Sequence, residues 1–201
     1  MNPLNSIAGT IIAGVAIAVV LVLVTMGNHI VSAISVVIWL HVLAGITWIG
    51  LLYYFNFVQV PALAAAASDE GGPGGAGISK YVAPRALLWF RWSAVATWLS
   101  GALFLLHRGQ LDDALTLGLM GDGVNAYAQT IGIGAWLGTI MLFNVWVLIW
   151  PNQKKVLGLV EASPDEIAKG KRVALLASRT NTMLSIPMIM SMVGAGHGFF
   201  M

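Results

Sequence analysis

Long apolar runs set the plan of this chain. Windows of about 20 apolar residues, the length a helix needs to cross the hydrocarbon of a bilayer, fall at residues 7–26, 30–60, 86–107, 126–150 and 173–200. The pattern predicts an all-α polytopic membrane bundle of five spanning helices in a single transmembrane domain. The first run resembles a signal peptide in one respect, because Val31-Ser32-Ala33 is a loose cleavage motif. Residues 1–6 carry no Lys or Arg, however, and the run exceeds the roughly 7 to 15 residues of a signal core. A retained helix is expected.

The connections differ in kind. Gly27-Asn28-His29 reads as a tight turn, whereas residues 68–78, with Gly71-Gly72-Pro73-Gly74-Gly75, read as a flexible loop. Pro61 is expected to close the second helix and Pro84 to open the third. Residues 151–172 form a loop in which Ser163-Pro164-Asp165-Glu166 caps a short surface helix. There is no internal repeat.

Composition agrees with the pattern and narrows the chemistry. Of 201 residues, 58% are hydrophobic and 9% charged, against about a quarter charged in a soluble domain, and the first charged residue is Asp69. The net charge of +2 gives no footprint for a nucleic acid. Zero cysteines exclude disulfides, iron–sulfur ligation and covalent c-type haem within these residues. A metal or haem would need His, Met or carboxylate ligands.

Charge position gives the orientation. With five spans, Lys80, Arg85, Arg91, Lys154, Lys155, Lys169, Lys171, Arg172 and Arg179 gather on one side of the membrane, and Arg108 stands alone on the other. The positive-inside rule then puts the N-terminus in the cytoplasm and the C-terminus in the periplasm or exterior, for a multi-pass protein of a bacterial inner membrane.

That orientation places all four histidines in the outer half. His29 lies in an outer turn, His107 at the outer end of the third helix and His197 near the outer end of the fifth, where interfacial residues also collect. His41 is deeper, about 16 Å along a helix starting at residue 30. It shares a face with Gly45, Trp48, Leu52, Phe55 and Gln59, and Gly45 leaves room either for a flat ring or for a neighbouring helix. In the fifth helix His197 falls in line with Val193, Met190, Ile186, Met183 and Arg179. Each outer His stands 18 residues, about 27 Å, from an inner polar group, Gln59 or Arg179. Helices two and five run in opposite directions, so these stripes can pair His41 with His197 and Gln59 with Arg179. Imidazole suits metal and haem, which makes His41 and His197 the candidate ligands, with His107 in reserve. Met183, Met188, Met190, Met192 and Met201 offer a softer set for copper, or simply lipid-facing packing.

On the inner side Arg91 and Arg179 enter apolar segments, either snorkelling to head groups or holding an anion. Asn56, Gln59, Trp92, Asn144, Asn152, Asn181 and Thr182 share that layer, and guanidinium, carboxamide and aromatic groups together suit a flat amide-rich anion. No span contains a carboxylate to act as general acid. Redox or binding chemistry is expected over hydrolysis.

Three stretches carry a family resemblance. His41-Val-Leu-Ala-Gly45-Ile-Thr-Trp48-Ile-Gly50-Leu-Leu-Tyr53-Tyr54-Phe55-Asn56-Phe-Val-Gln59 is the first; Asn144-Val-Trp146-Val-Leu-Ile-Trp150-Pro151-Asn152-Gln153 is the second; Ala177-Ser178-Arg179-Thr180-Asn181-Thr182-Met183-Leu184-Ser185-Ile186-Pro187-Met188 is the third. Together they resemble the membrane domain of the bacterial membrane-bound urate hydroxylase (urate oxidase N-terminal domain) family, over roughly residues 30–200. The resemblance implies a multi-span membrane protein that oxidises urate towards 5-hydroxyisourate and passes electrons to cytochrome c. Long members carry a C-terminal c-type cytochrome domain; this chain has no cysteine and ends at Met201, so an external cytochrome c is the expected acceptor.

The expectation is therefore an electron path from a urate-like anion or quinol, bound by Arg179, Gln59, Asn56, Arg91, Asn144 and Asn181, through b-type haem on His41 and His197. Two other readings stand beside it: a non-catalytic subunit of a larger respiratory-type complex, packed through Gly134-x-x-x-Gly138, and a copper-handling protein. The orientation is directly testable. A reporter fused after Met201 is expected to be active only when it works outside the cytoplasm; cytoplasmic activity would reverse the topology.

Overall fold

A computed structural model describes residues 2–25, 31–120 and 123–198. The expected Gly27-Asn28-His29 turn, and with it His29, lies outside the described residues, as does Met201. The fold is all-α, 84% helical, and contains no strand among the described residues. It divides into two compact units, Met1–Val36 and Val37–Met201. In the first, a 3-10 turn at Pro3–Asn5 is capped by Asn2, whose side-chain oxygen accepts from the Leu4 N–H at 2.9 Å, and α1 (Ile7–Thr25) follows. The few hydroxyls of α1 bond back to its own backbone, Thr10 to the Ser6 carbonyl and Thr25 to the Leu21 carbonyl. Such back-bonding is how a hydroxyl is satisfied where water is absent.

Helix α2 (Ala33–Tyr54) starts at the boundary between the units and continues through a π-turn at Phe55–Gln59 into α3 (Val60–Ser68). The second unit goes on with a π-turn at Ile78–Val82, α4 (Ala83–His107), the short α5 (Leu111–Leu115) and α6 (Ala126–Phe143). A third π-turn at Asn144–Ile149 leads into α7 (Trp150–Val156), and α8 spans Pro164–His197.

Each π-turn ends two residues before a proline: Gln59 before Pro61, Val82 before Pro84 and Ile149 before Pro151. Proline lacks the N–H of the i to i−4 ladder and its ring crowds the preceding turn. Widening that turn accommodates both, so the helix continues. Three sequence expectations change for this reason. Pro61 does not close the second helix, which runs unbroken over Ala33–Ser68; Pro84 does not open the third, because helix already runs through residues 76–82 into α4; and the loop expected at residues 151–172 does not begin at Pro151, because helix runs over Ala126–Val156. The Ser163 cap is present but begins α8 itself, not a separate short helix. The Ser163 hydroxyl accepts from the Glu166 N–H while the Glu166 carboxylate accepts from the Ser163 N–H at 2.9 Å.

Among the described residues three helices are long and apolar enough to cross a membrane: Ile7–Thr25, Ala33–Ser68 and Ala126–Val156. Large apolar side chains cover the outside of the second unit, among them Ile46, Phe57, Trp89, Leu106, Met183 and Ile186. This is the surface of a membrane protein, since water would not tolerate so continuous an apolar exterior. The expected spans at residues 86–107 and 173–200 correspond to α4 and α8, which are more polar and fall outside that set.

The most extensive contact is α6 along α8. Small residues make it close: a Cβ on Gly134 would stand 3.1 Å from Met192 Cε and 3.3 Å from Ser191 Cβ. The Gly134-x-x-x-Gly138 motif thus serves packing within the chain, through Gly134. At one end α5 lies on α6, where a Cβ on Gly132 would run into the Ala114 carbonyl, and the Trp136 indole donates to the Leu115 carbonyl at 3.0 Å. Trp98 Nε1 ties α4 to Thr139 of α6 at 2.8 Å. The main core gathers Trp48, Leu52, Phe55, Phe90, Met141 and Val145.

At the start of α8 the Ser163 N–H, with hydrogen bonds from Lys155 and the Ser163 hydroxyl and the Lys155 charge, holds the Glu166 carboxyl below its ordinary range. A depressed carboxylate stabilises the fold above the unfolded-state pKa and loses that contribution as pH falls through the folded one. Ser163→Ala is expected to cost about 1 kcal/mol at neutral pH. The difference between wild type and Glu166→Gln in thermal midpoint should shrink on acidification below the usual glutamate range; a difference independent of pH would remove the carboxylate from the cap.

Candidate functional site

The histidines come first. The His41 ring is half-buried against α4, its Nδ1 2.8 Å from the Thr97 carbonyl and 3.2 Å from the Ser100 hydroxyl. A carbonyl only accepts, so Nδ1 is the donor, and in the neutral ring the lone pair is on Nε2. Gly101 makes the close approach: a Cβ there would stand 3.0 Å from His41 Cε1. His197 is exposed, and its Nδ1 lies 2.9 Å from the Val193 carbonyl of its own helix, which again leaves Nε2 free. His107 is exposed at the end of α4 and makes no hydrogen bond among the described residues. Two imidazoles anchored through Nδ1 have the donor chemistry that haem or a soft metal needs. They are held by different helices, and among the described residues no cluster of three His or carboxylate side chains forms.

The face of α2 that carries His41 is as expected: Trp48, Leu52, Phe55 and Gln59 are buried along it. The face of α8 is not. Arg179, Met183, Ile186, Met190, Val193 and His197 all lie on its exposed side. The side that enters the bundle is Ala174, Ala177, Asn181, Ser185, Met188, Ser191 and Ala195. In a membrane helix the large apolar residues satisfy lipid and the small and polar ones satisfy neighbouring helices, so hydrophobicity alone selects the wrong stripe.

Of the six residues expected to bind an anion, four form two separate groups. The Asn144 amide donates to Asn181 Oδ1 at 2.8 Å, and Asn181 Nδ2 donates to the Met141 carbonyl at 2.9 Å, with Asn181 fully buried. This pair is consumed in joining α6 to α8. Asn56 Nδ2 donates to the Leu52 carbonyl at 2.9 Å and to Ser178 Oγ at 2.8 Å, while Gln59 stands one turn further on. Nearby, Ser185 donates to the Thr182 carbonyl and Tyr53 donates to Ser185, at 2.7 and 3.0 Å. The Arg91 guanidinium stands over the Trp150 ring, its carbon 3.8 Å from the ring centroid. Arg179 is exposed and makes no side-chain hydrogen bond to any of these.

Gln59 faces a cavity of about 520 Å³. All three π-turns contribute to its wall, through Phe55 and Gln59, Ser79, and Ile149. Phe55 and Phe90 meet edge to face there, centroids 5.4 Å apart. Its polar groups also include Gln153, Ser178 and Lys171, none of which the sequence arithmetic placed. Ser178 and Gln153 stand in the stretches that carry the resemblance, one residue from Arg179 and Asn152; what was missing was the helical phase.

A protein-family model described as Urate oxidase N-terminal matches residues 120–201. The chain resembles that family. The urate-oxidase-like stretch takes in α6, the third π-turn, α7 and α8, and so includes the Asn144–Asn181 pair, Gln153, Lys171 and His197, while the His41 stretch precedes it. No curated protein and no solved structure matches the chain.

The Asn pair gives a direct test. Asn181→Leu leaves the buried Asn144 amide without a partner, at about 1–3 kcal/mol, while the Met141 carbonyl keeps the backbone N–H of Asn144. It is expected to destabilise the protein more than Asn144→Leu with Asn181→Leu together, measured by thermal unfolding in detergent; additive losses would show that the pair is not coupled.

Proposed function

We propose that this chain is a membrane redox protein of the urate hydroxylase type, related to the urate oxidase N-terminal family. The observation that carries the reading is the family match over α6 to α8, and the Nδ1-anchored imidazoles of His41 and His197 support it. In this reading five helices cross a bacterial inner membrane with the N-terminus cytoplasmic. The cavity end of the bundle faces the cytoplasm with Arg91, Lys171 and Arg179; the histidines face the outside, where an external cytochrome c docks.

Conversion of urate to 5-hydroxyisourate takes its oxygen from water and releases two electrons and two protons. The residues of the cavity end bind and orient the reductant and exclude bulk water, while Arg91 and Arg179 hold the cytoplasmic margin. A b-type haem would be held through His41; His197, on the exposed side of α8, is the candidate second ligand, with His107 in reserve, and the haem would supply a one-electron carrier between reductant and cytochrome c. Copper on His and Met side chains is the alternative carrier.

The absorption spectrum decides. Protein purified with full haem supply is expected to show a Soret band and a reduced α band, lost in His41→Ala and kept in His107→Ala. Absence of the Soret band from the wild type sinks the haem, and urate that fails to reduce the protein anaerobically removes urate as the reductant while leaving electron transfer intact.

A further inference from the structure

The cavity at the π-turns has one property that no hydrogen bond within the chain explains. Gln59 is only 9% exposed, lines the cavity, and makes no hydrogen bond among the described residues; its Oε1 is completely covered. A carboxamide is both donor and acceptor, and leaving it unpaired in an apolar wall is costly. Its neighbours there are another carboxamide, Gln153, and two hydroxyls, Ser79 and Ser178. The one charged side chain on the lining is Lys171, which is exposed and so sits at the rim; no carboxylate lines the cavity among the described residues.

We infer that this cavity binds a small planar monoanion bearing adjacent N–H and C=O groups, with Gln59 pairing to its edge and Lys171, not Arg179, supplying the countercharge. A turn of the Gln59 carboxamide towards the cavity would bring its covered Oε1 to an N–H donor of the ligand, which a fatty-acid carboxylate lacks. A cation would meet Lys171 and no opposing charge. The edge-to-face pair of Phe55 and Phe90 provides an apolar wall suited to a flat ring. Three π-turns meeting at one cavity follow the tendency of such turns to lie at functional sites. The choice of urate as probe rests on the functional reading above; the cavity and its polar groups do not.

Equilibrium dialysis of labelled urate against the full chain in lipid nanodiscs, with no electron acceptor present, tests this without turnover. Saturable binding is expected, weakened tenfold or more in Gln59→Leu and in Lys171→Met, restored by Lys171→Arg, and unchanged in Arg179→Gln. Gln59→Leu should melt no lower than wild type, because it removes an unpaired buried group; a lower melting point would mean that Gln59 is structural and would overturn its assignment. No saturable binding by the helical wild-type protein, loss in Arg179→Gln but not in Lys171→Met, or full displacement of urate by decanoate would each overturn the inference. Binding without anaerobic reduction would instead refute the redox function and leave the site standing.

Discussion

Asn181 holds the second unit together. It is wholly buried, accepts from Asn144 and donates to the Met141 carbonyl, so one side chain ties α8 to α6 where no water can substitute. In hydrocarbon every polar group must find a partner inside the protein, and the apolar surroundings give two helices little reason to prefer each other over lipid. The seam between α6 and α8 answers both constraints, with an amide pair for specificity and with Gly134 and Ser191 for close approach. The Tyr53 to Ser185 and Asn56 to Ser178 bonds then bring the α2 segment onto the other flank of α8.

The prolines shape what that seam leaves open. Pro61, Pro84 and Pro151 each follow a widened turn, and those turns converge around a cavity. A backbone device that keeps helices continuous past proline therefore also displaces side chains from regular helical packing. Gln59, the last residue of its π-turn, lines that cavity and is one of the buried side chains with a polar atom left without a partner, along with Asn56 and Trp146 of the π-turns. Packing and ligand binding meet in the same residues there.

Legibility in the sequence depended on which helix was being read. For α2 the stripe from His41 to Gln59 is the buried face, because large residues such as Trp48, Leu52 and Phe55 form the core. For α8 the equivalent arithmetic chose Arg179, Met183, Ile186, Met190, Val193 and His197, which is the exposed face. Its packed side is built from Ala, Ser and Asn, and nothing in a hydropathy pattern marks such residues as interior. Asn56, Gln59, Asn144 and Asn181 were recognised as an inner polar layer, yet their division into a structural pair and a cavity group depends on helical phase across the π-turns. An extra residue in a turn rotates everything after it by about 100°, so Gln153 could not be placed beside Gln59 by counting, and Lys171 sits on a different helix whose packing sets its position.

Helix content, the apolar lengths, the cap at Ser163, the absence of cysteine chemistry and the candidate donors were all determined by the sequence itself, because each follows from local composition or spacing of a few residues. Tertiary structure decided which face of each helix is interior, that Pro61 and Pro151 continue helices instead of ending them, and which polar groups are spent on one another. Those outcomes depend on what stands opposite each side chain. In a protein whose lipid-facing and buried surfaces are both apolar, only the packed neighbours distinguish the two.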